Sequence, residues 1–250
     1  MVRALLVVFM LIPGVLSGQS ASELFREAND AYARSEYQHA AELYEQIAAM
    51  ELVAPELFYN LGNSYFKSNR LGKAILNFER AARLNPADEN IRHNLHIANS
   101  RTVDRIEQRP QLFYERWWSA TYMLFSASGW AVLSIAVFVL LLAFVALYLF
   151  SRTTGVKKMA FTISAVCLVF FLFSLVFAQK QHNRLTNTSE AIIMVPRVAA
   201  KSSPAVTSPD LFLMHEGTKV MIRTRLGEWY EIALPNGNVG WIRHESIEVI

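Results

Sequence analysis

Apolar positions along this chain fall into successive regimes. From residue 21 to 108 they recur at helical spacing among many charged residues. Two runs then contain no charged residue at all, 22 residues from Gly129 to Phe150 and 20 from Met159 to Ala178. At about 1.5 Å per residue, each reaches across a hydrocarbon core roughly 30 Å thick. Only the eight residues Ser151–Lys158 separate them. The pattern predicts a transmembrane hairpin, with the flanking segments on one side of a membrane. From residue 191 onward the pattern changes to short alternating stretches, as at Val220–Ile222 and Tyr230–Ile232–Leu234, divided by Glu216–Gly217, Leu226–Gly227 and Pro235–Asn238. Strands of this length between turn signals predict a small β-barrel over 191–250.

Charge orients the hairpin. The intervening loop holds Arg152, Lys157 and Lys158, against Arg116 alone in the 15 residues before the first run and Lys180 and Arg184 in the 15 after the second. Positive charge at span ends favours the cytoplasmic side, so the loop points inward and both flanks outward. The N-terminus agrees with this orientation. Arg3, an apolar stretch from Ala4 to Leu16 interrupted by Pro13 and Gly14, and the small residues Ser17, Gly18 and Ser20 read as a secretory leader over residues 1–17. Cleavage after residue 17, 18 or 20 fits, and retention as an anchor would export the next domain equally.

Between residues 21 and 88 the chain repeats with a period of 34: Ala28 aligns with Gly62, Tyr32 with Phe66, Ala40 with Ala74, and Tyr44 with Phe78. Small residues at two positions and bulky ones between them suit paired antiparallel helices whose backbones approach closely. This period and spacing resemble the tetratricopeptide repeat, most clearly in the second copy from Pro55 to Asp88. The expected body, 21–108, is an all-α solenoid of two repeats closed by a capping helix over Glu89–Arg105 and ended by Pro110. The resemblance implies a concave groove for extended peptides, lined by Phe25, Asn29, Tyr32, Tyr59, Asn63, Phe66 and Lys67. It does not imply a clamp for a C-terminal carboxylate, because Phe25, Asn90 and Asn94 stand where basic residues would be needed.

Residues 111–128 carry Phe113, Tyr114, Trp117, Trp118, Tyr122 and Phe125, which predicts an interfacial helix with one aromatic face and a turn at Ser128–Gly129. A polar linker, 179–190, is expected to join the second span (159–178) to the C-terminal module. In that module the strings Gly217–Val220, Gly227–Ile232 and Gly240–Ile242 resemble the bacterial SH3 domain. Strand alternation places Tyr230 inward with Ile232, and Trp229 outward as a candidate ligand surface. Bacterial relatives bind cell-wall peptides or proteins, or brace a neighbouring domain.

Composition narrows the function. A net charge of +3 and the lack of a dense Lys/Arg cluster argue against nucleic acid. The one cysteine, Cys167, lies in the second span, so no intrachain disulfide is expected. His93 and His96 sit one helical turn apart without the acidic company a metal site needs, and no nucleophile elbow or phosphate loop occurs. No enzyme, cofactor or metal is expected.

The order of leader, repeats, Phe-Tyr-x-Arg-Trp-Trp run, hairpin and SH3-like module resembles the BatE-like proteins of the Bacteroides aerotolerance operons. That resemblance implies an inner-membrane protein with both soluble modules in the periplasm. It implies work beside membrane-anchored von Willebrand factor A-domain proteins and, indirectly, a MoxR-type ATPase. A non-enzymatic scaffold, acting in oxidative or aerotolerance stress, is the expected function; the alternative is an envelope sensor that binds peptidoglycan through the SH3-like module.

Overall fold

The computed structural model describes residues 20–106, 112–186 and 189–250. The expected leader and Pro110 lie outside the described residues. Five helices form the N-terminal body: α1 (Ala21–Ala33), α2 (Tyr37–Ala49), α3 (Pro55–Lys67), α4 (Leu71–Leu84) and α5 (Glu89–Ser100). The helices α1, α3 and α5 start at 21, 55 and 89, each 34 residues after the last. Different devices start them in the same phase. Ser20 and Glu23 close a reciprocal capping box on α1, Pro55 occupies the first turn of α3, and the Asp88 carboxylate accepts from the Asn90 and Ile91 amides on α5. The inter-helix turns repeat too, with Ser35 (φ 64°) and Asn69 (φ 60°) both left-handed. Small residues make the close packing possible: Ala28, Ala31, Ala40 and Ala74 are fully buried. A Cβ on Gly62 would stand 2.7 Å from Cδ1 of Phe78.

Helix α5 stops five residues short of the expected Arg105. The Ser100 and Thr102 hydroxyls bond to the carbonyls of Ile97 and Asn99, and the chain runs on without helix to Ile106. Competing bonds explain the early end, because Asp104 is held by the C-terminal module.

Next come α6 (Phe113–Tyr122), α7 (Ala127–Phe150) and α8 (Thr154–Thr186). Both α7 and α8 are long and apolar enough to cross a membrane. They lie side by side through Trp130–Phe177, Phe138–Phe171 and Tyr148–Phe161 ring contacts at 4.9, 5.2 and 6.0 Å. The connection is shorter than the expected 151–158, since Lys157 and Lys158 already belong to α8. The helix also continues through Thr186, so most of the expected 179–190 linker is helical. The expected turn at Ser128–Gly129 falls earlier: Ser126 caps α7, its hydroxyl accepting from the Gly129 amide. Trp117 and Trp118 do not share a face. Trp118 packs on Phe177 at 4.9 Å, while Trp117 is exposed.

The C-terminal module has seven strands: β1 (Glu190–Ile193), β2 (Arg197–Lys201), β3 (Asp210–His215), β4 (Lys219–Leu226), β5 (Trp229–Ala233), β6 (Val239–Arg243) and β7 (Ile247–Val249). They form one antiparallel sheet in the order β3-β2-β6-β5-β4-β1-β7. Ile193, Met214, Val220, Ile232 and Ile242 fill its core. The positive-φ glycines Gly217, Gly227 and Gly237 fall at the expected turns.

This sheet docks on α4. Ala191 and Ile193 point into the sheet core, whereas Ile192 is fully buried in the helical core beside Met194 and Ile250. Both faces of β1 are therefore covered. Polar contacts surround the seam. Arg83, its side chain 6% exposed, donates to the Ile250 carbonyl (2.7 Å) and to Glu190 (2.9 Å). Lys219 joins Glu79 (2.9 Å) to Glu190 (3.1 Å), and Arg80 reaches Glu248 at 3.1 Å. The Glu216 carboxylate accepts from the Gly72 amide at 2.8 Å, capping α4, for which Arg70 supplies no side-chain cap. Asp104 accepts from the His215 amide (2.7 Å) and the Thr218 hydroxyl (2.6 Å), and pairs with His215 Nδ1 (2.7 Å).

Two predictions follow from this packing. Gly62→Leu must displace the Phe78 ring and should destabilise the helical body by about 1–3 kcal/mol, read as a lower melting midpoint by circular dichroism. An unchanged midpoint would refute the close approach. The second concerns acid. Burial opposes ionisation of Asp104 and Glu190, but bonds from Thr218 and His215 to the first outweigh it, as do Lys219 and Arg83 at the second. Both are held below their ordinary values of 3.8 and 4.5. Their stabilisation is complete above those ordinary values and is lost as pH falls through the lowered ones. The urea midpoint of the docked protein should therefore drop below about pH 4, and Asp104→Asn should flatten that dependence.

Candidate functional site

The first helices of the repeats present their exposed sides on one surface, and a groove of about 350 Å³ opens between α1, α3 and α5. Five of the seven expected groove residues line it: Tyr32 from α1, and Tyr59, Asn63, Phe66 and Lys67 from α3. Phe78 of α4 closes the floor, and Asn94 and Ile97 of α5 form the far wall. Phe25 and Asn29 are not brought into the groove. The Phe25 ring packs edge-on against Tyr44 at 5.6 Å, and the Asn29 carbonyl accepts from the Tyr44 hydroxyl at 2.6 Å.

An asparagine ladder runs across the helices with the same period. Asn60 donates to Asn29 (3.4 Å), and Asn94 donates to Asn63 (2.7 Å) and to the Tyr59 hydroxyl (3.0 Å). These bonds use the side-chain carbonyls of Asn29 and Asn63. The Asn63 amide nitrogen donates to no protein group among the described residues, which leaves a donor beside the groove.

The cations follow the same logic. Lys67 is exposed at the end of α3 and joins no ion pair among the described residues. The Arg101 guanidinium lies over the Phe66 ring at 4.3 Å and likewise meets no carboxylate. Burial raises the Tyr32 hydroxyl above its ordinary value, helped by Tyr37 and Tyr59, and pushes Tyr44 up to about 12. These phenols stay protonated as donors at any physiological pH. The Tyr44 hydroxyl is spent on Asn29, so the groove has an aromatic floor with Lys67, Arg101 and the Asn63 amide as donors at its rim.

Sequence reasoning missed Ile97 and Arg101, and gave Asn94 no bond to Asn63. The period held the signal: Ile97 stands 34 residues after Asn63, and Arg101 the same distance after Lys67. Reading α5 as a cap hid this, because α5 occupies the place of the first helix of a third repeat.

Trp229 is half-buried, outside the apolar cluster of the sheet, with Arg243 over its ring at 5.9 Å. Tyr230 packs against that cluster but is itself only half-buried, under Arg225 at 5.3 Å. His93 and His96 flank a shallow depression with Glu89 and Arg92. Among the described residues no three His, Cys, Asp or Glu side chains group as a metal site.

Residues 55–88 match the tetratricopeptide repeat family. Among solved structures, the chain is similar to the Sgt2 TPR domain from Aspergillus fumigatus. The identity is 17% and the TM-score 0.30, with 68% of this chain and 83% of that chain covered. No curated protein matches the chain. A tetratricopeptide repeat is a protein–protein interaction module, typically a non-catalytic one.

The donor-rich rim makes a specific expectation. Asn63→Ala removes one amide donor and Lys67→Glu reverses one charge, so each should weaken an extended peptide that carries a carboxylate by about 1–2 kcal/mol. Lys67→Glu should leave the melting midpoint unchanged, because Lys67 is exposed, whereas Asn63→Ala also removes the bond from Asn94 and should lower it somewhat. Fluorescence anisotropy against a panel of acidic, neutral and basic peptides would read it; equal affinity across the panel would refute it.

Proposed function

We propose that this protein is a non-enzymatic adaptor of the bacterial inner membrane. Its helical repeats and C-terminal sheet both lie in the periplasm, where the groove holds a segment of a partner protein. One observation carries this reading: a groove with an aromatic floor, rimmed by Asn63, Lys67 and Arg101, belongs to a body that continues into two helices long enough to span a bilayer. The partner would supply backbone carbonyls and at least one carboxylate. The leader-like N-terminus and the basic connection at Arg152, Lys157 and Lys158 support the orientation. The order of modules, similar to BatE-like proteins, suggests von Willebrand factor A-domain proteins as partners, a MoxR-type ATPase behind them, and a setting in oxidative or aerotolerance stress.

The C-terminal sheet, SH3-like in this reading, acts mainly as a brace. The side it turns to α4 is occupied by Ile192, Glu190 and Glu248, which favours bracing over peptidoglycan binding through that side.

Alkaline phosphatase fused after Ser100 or Ile250 should be active, and inactive when fused after Thr154. The reverse pattern would overturn the orientation. Partner recovery from detergent-solubilised membranes should fall with Lys67→Glu and persist with Trp229→Ala. Sedimentation with purified cell wall that depends on Trp229 would instead favour the sensor.

A further inference from the structure

Helix α8 is longer than a hydrocarbon core is thick. Its 33 residues extend about 50 Å, against roughly 30 Å of hydrocarbon. The apolar run ends at Ala178, so two polar turns project beyond it at the end of the hairpin that carries the folded domains. Lys180 and Arg184 lie four residues apart on one face of those turns. They line a cavity of about 710 Å³, with Val176 one turn below, Tyr122 of α6 beside, and Glu190 above.

The charges around this cavity are unbalanced. Lys180 lies over the Tyr122 ring at 4.8 Å and the Trp118 ring at 6.0 Å, and meets no carboxylate within 4 Å among the described residues. Nη1 of Arg184 is buried without a hydrogen-bond partner. Glu190 is the cavity's one acidic group, and its carboxylate is held by Arg83 at 2.9 Å and Lys219 at 3.1 Å. What remains is a positive site with an unmet donor. Its lower lip is exposed Val176, continuous with the exposed apolar flank at Leu172 and Phe173. An anion alone would use the cations and leave this apolar lip unused.

We propose that the cavity seats the headgroup of one anionic phospholipid, resting on the reading of α7 and α8 as membrane spans. The phosphodiester accepts from Arg184 and Lys180, in the charge-assisted geometry that favours guanidinium for phosphate. Tyr122 and Trp118 hold the Lys180 ammonium at headgroup depth, and the first acyl carbons descend past Val176 along α8. The lipid's single negative charge is shared between Lys180, which is exposed, and Arg184, which is half-buried, and offsets one of the two positive charges at the foot of the soluble domains.

The test is native mass spectrometry of the full chain in neutral detergent, with phosphatidylglycerol and phosphatidylcholine added in equal amounts. Wild-type protein should retain one phosphatidylglycerol in preference, and Lys180→Gln/Arg184→Gln should reduce that adduct about tenfold or more while sparing phosphatidylcholine adducts. Neutralising Arg152, Lys157 and Lys158 together should leave the preference intact. If the double variant melts below wild type, Lys180→Gln alone carries the test, since that side chain is exposed. Equal retention of the two lipids by wild type, or an unaltered adduct in the variants, would overturn the site. Displacement by millimolar inorganic phosphate would show a bare anion site and overturn the lipid assignment. Flotation with vesicles through carbonate reads the spans separately. Protein that floats without a lipid preference refutes the headgroup site alone, and protein that does not float refutes the membrane reading with it.

Discussion

Everything on the soluble side depends on α4 being covered from two directions. Its inner face packs on α3, where Gly62 lets the Phe78 ring come within contact distance, and its outer face receives β1. Nearly every residue from Gly72 to Arg83 is buried as a result, including Asn77, Glu79 and Arg83. A helix at the edge of a two-repeat stack would ordinarily leave a polar face in water. Here that face carries Glu79, Arg80 and Arg83, which pair with Lys219, Glu248 and Glu190 of the C-terminal module. Breaking a buried pair by removing one partner costs about 3–5 kcal/mol; Arg83 comes nearest to that case, while the half-exposed Lys219 and Glu248 contribute less.

The sequence carried the helical body clearly because its signal was redundant. Period, capping residues and left-handed turns at Ser35 and Asn69 all agree in phase. The same redundancy made five of seven groove residues legible. Phe25 and Asn29 stay out of the groove because both are engaged elsewhere in the helical body. Their side chains turn to Tyr44 and Asn60, so Tyr32 is the one α1 residue that lines the groove.

The docking was not legible, for a physical reason. Consecutive buried residues Ala191, Ile192 and Ile193 mark a strand covered on both faces, but a run this short is indistinguishable from a strand end beside a turn. The polar contacts join residues over 100 positions apart, such as Gly72 and Glu216, and no local pattern announces them. The ends of α5 and α8 were misplaced on similar grounds. Asp104 pulls the chain out of helix, and Gln181, donating to the Phe125 carbonyl at 3.2 Å, keeps α8 ordered beyond its apolar run.

Glu216 caps α4 across 144 residues of sequence. During synthesis the helical repeats are complete long before their cap exists, and the two long helices are made in between. In the proposed topology, the repeats and the sheet meet only when both of those helices have inserted. A chain with one span inserted would strand its sheet on the wrong side of the bilayer, leaving the first turn of α4 without its Glu216 cap. In that topology the seam would serve as a checkpoint as well as a contact: its closure would record that the hairpin was threaded correctly, and an open seam would expose Ile192.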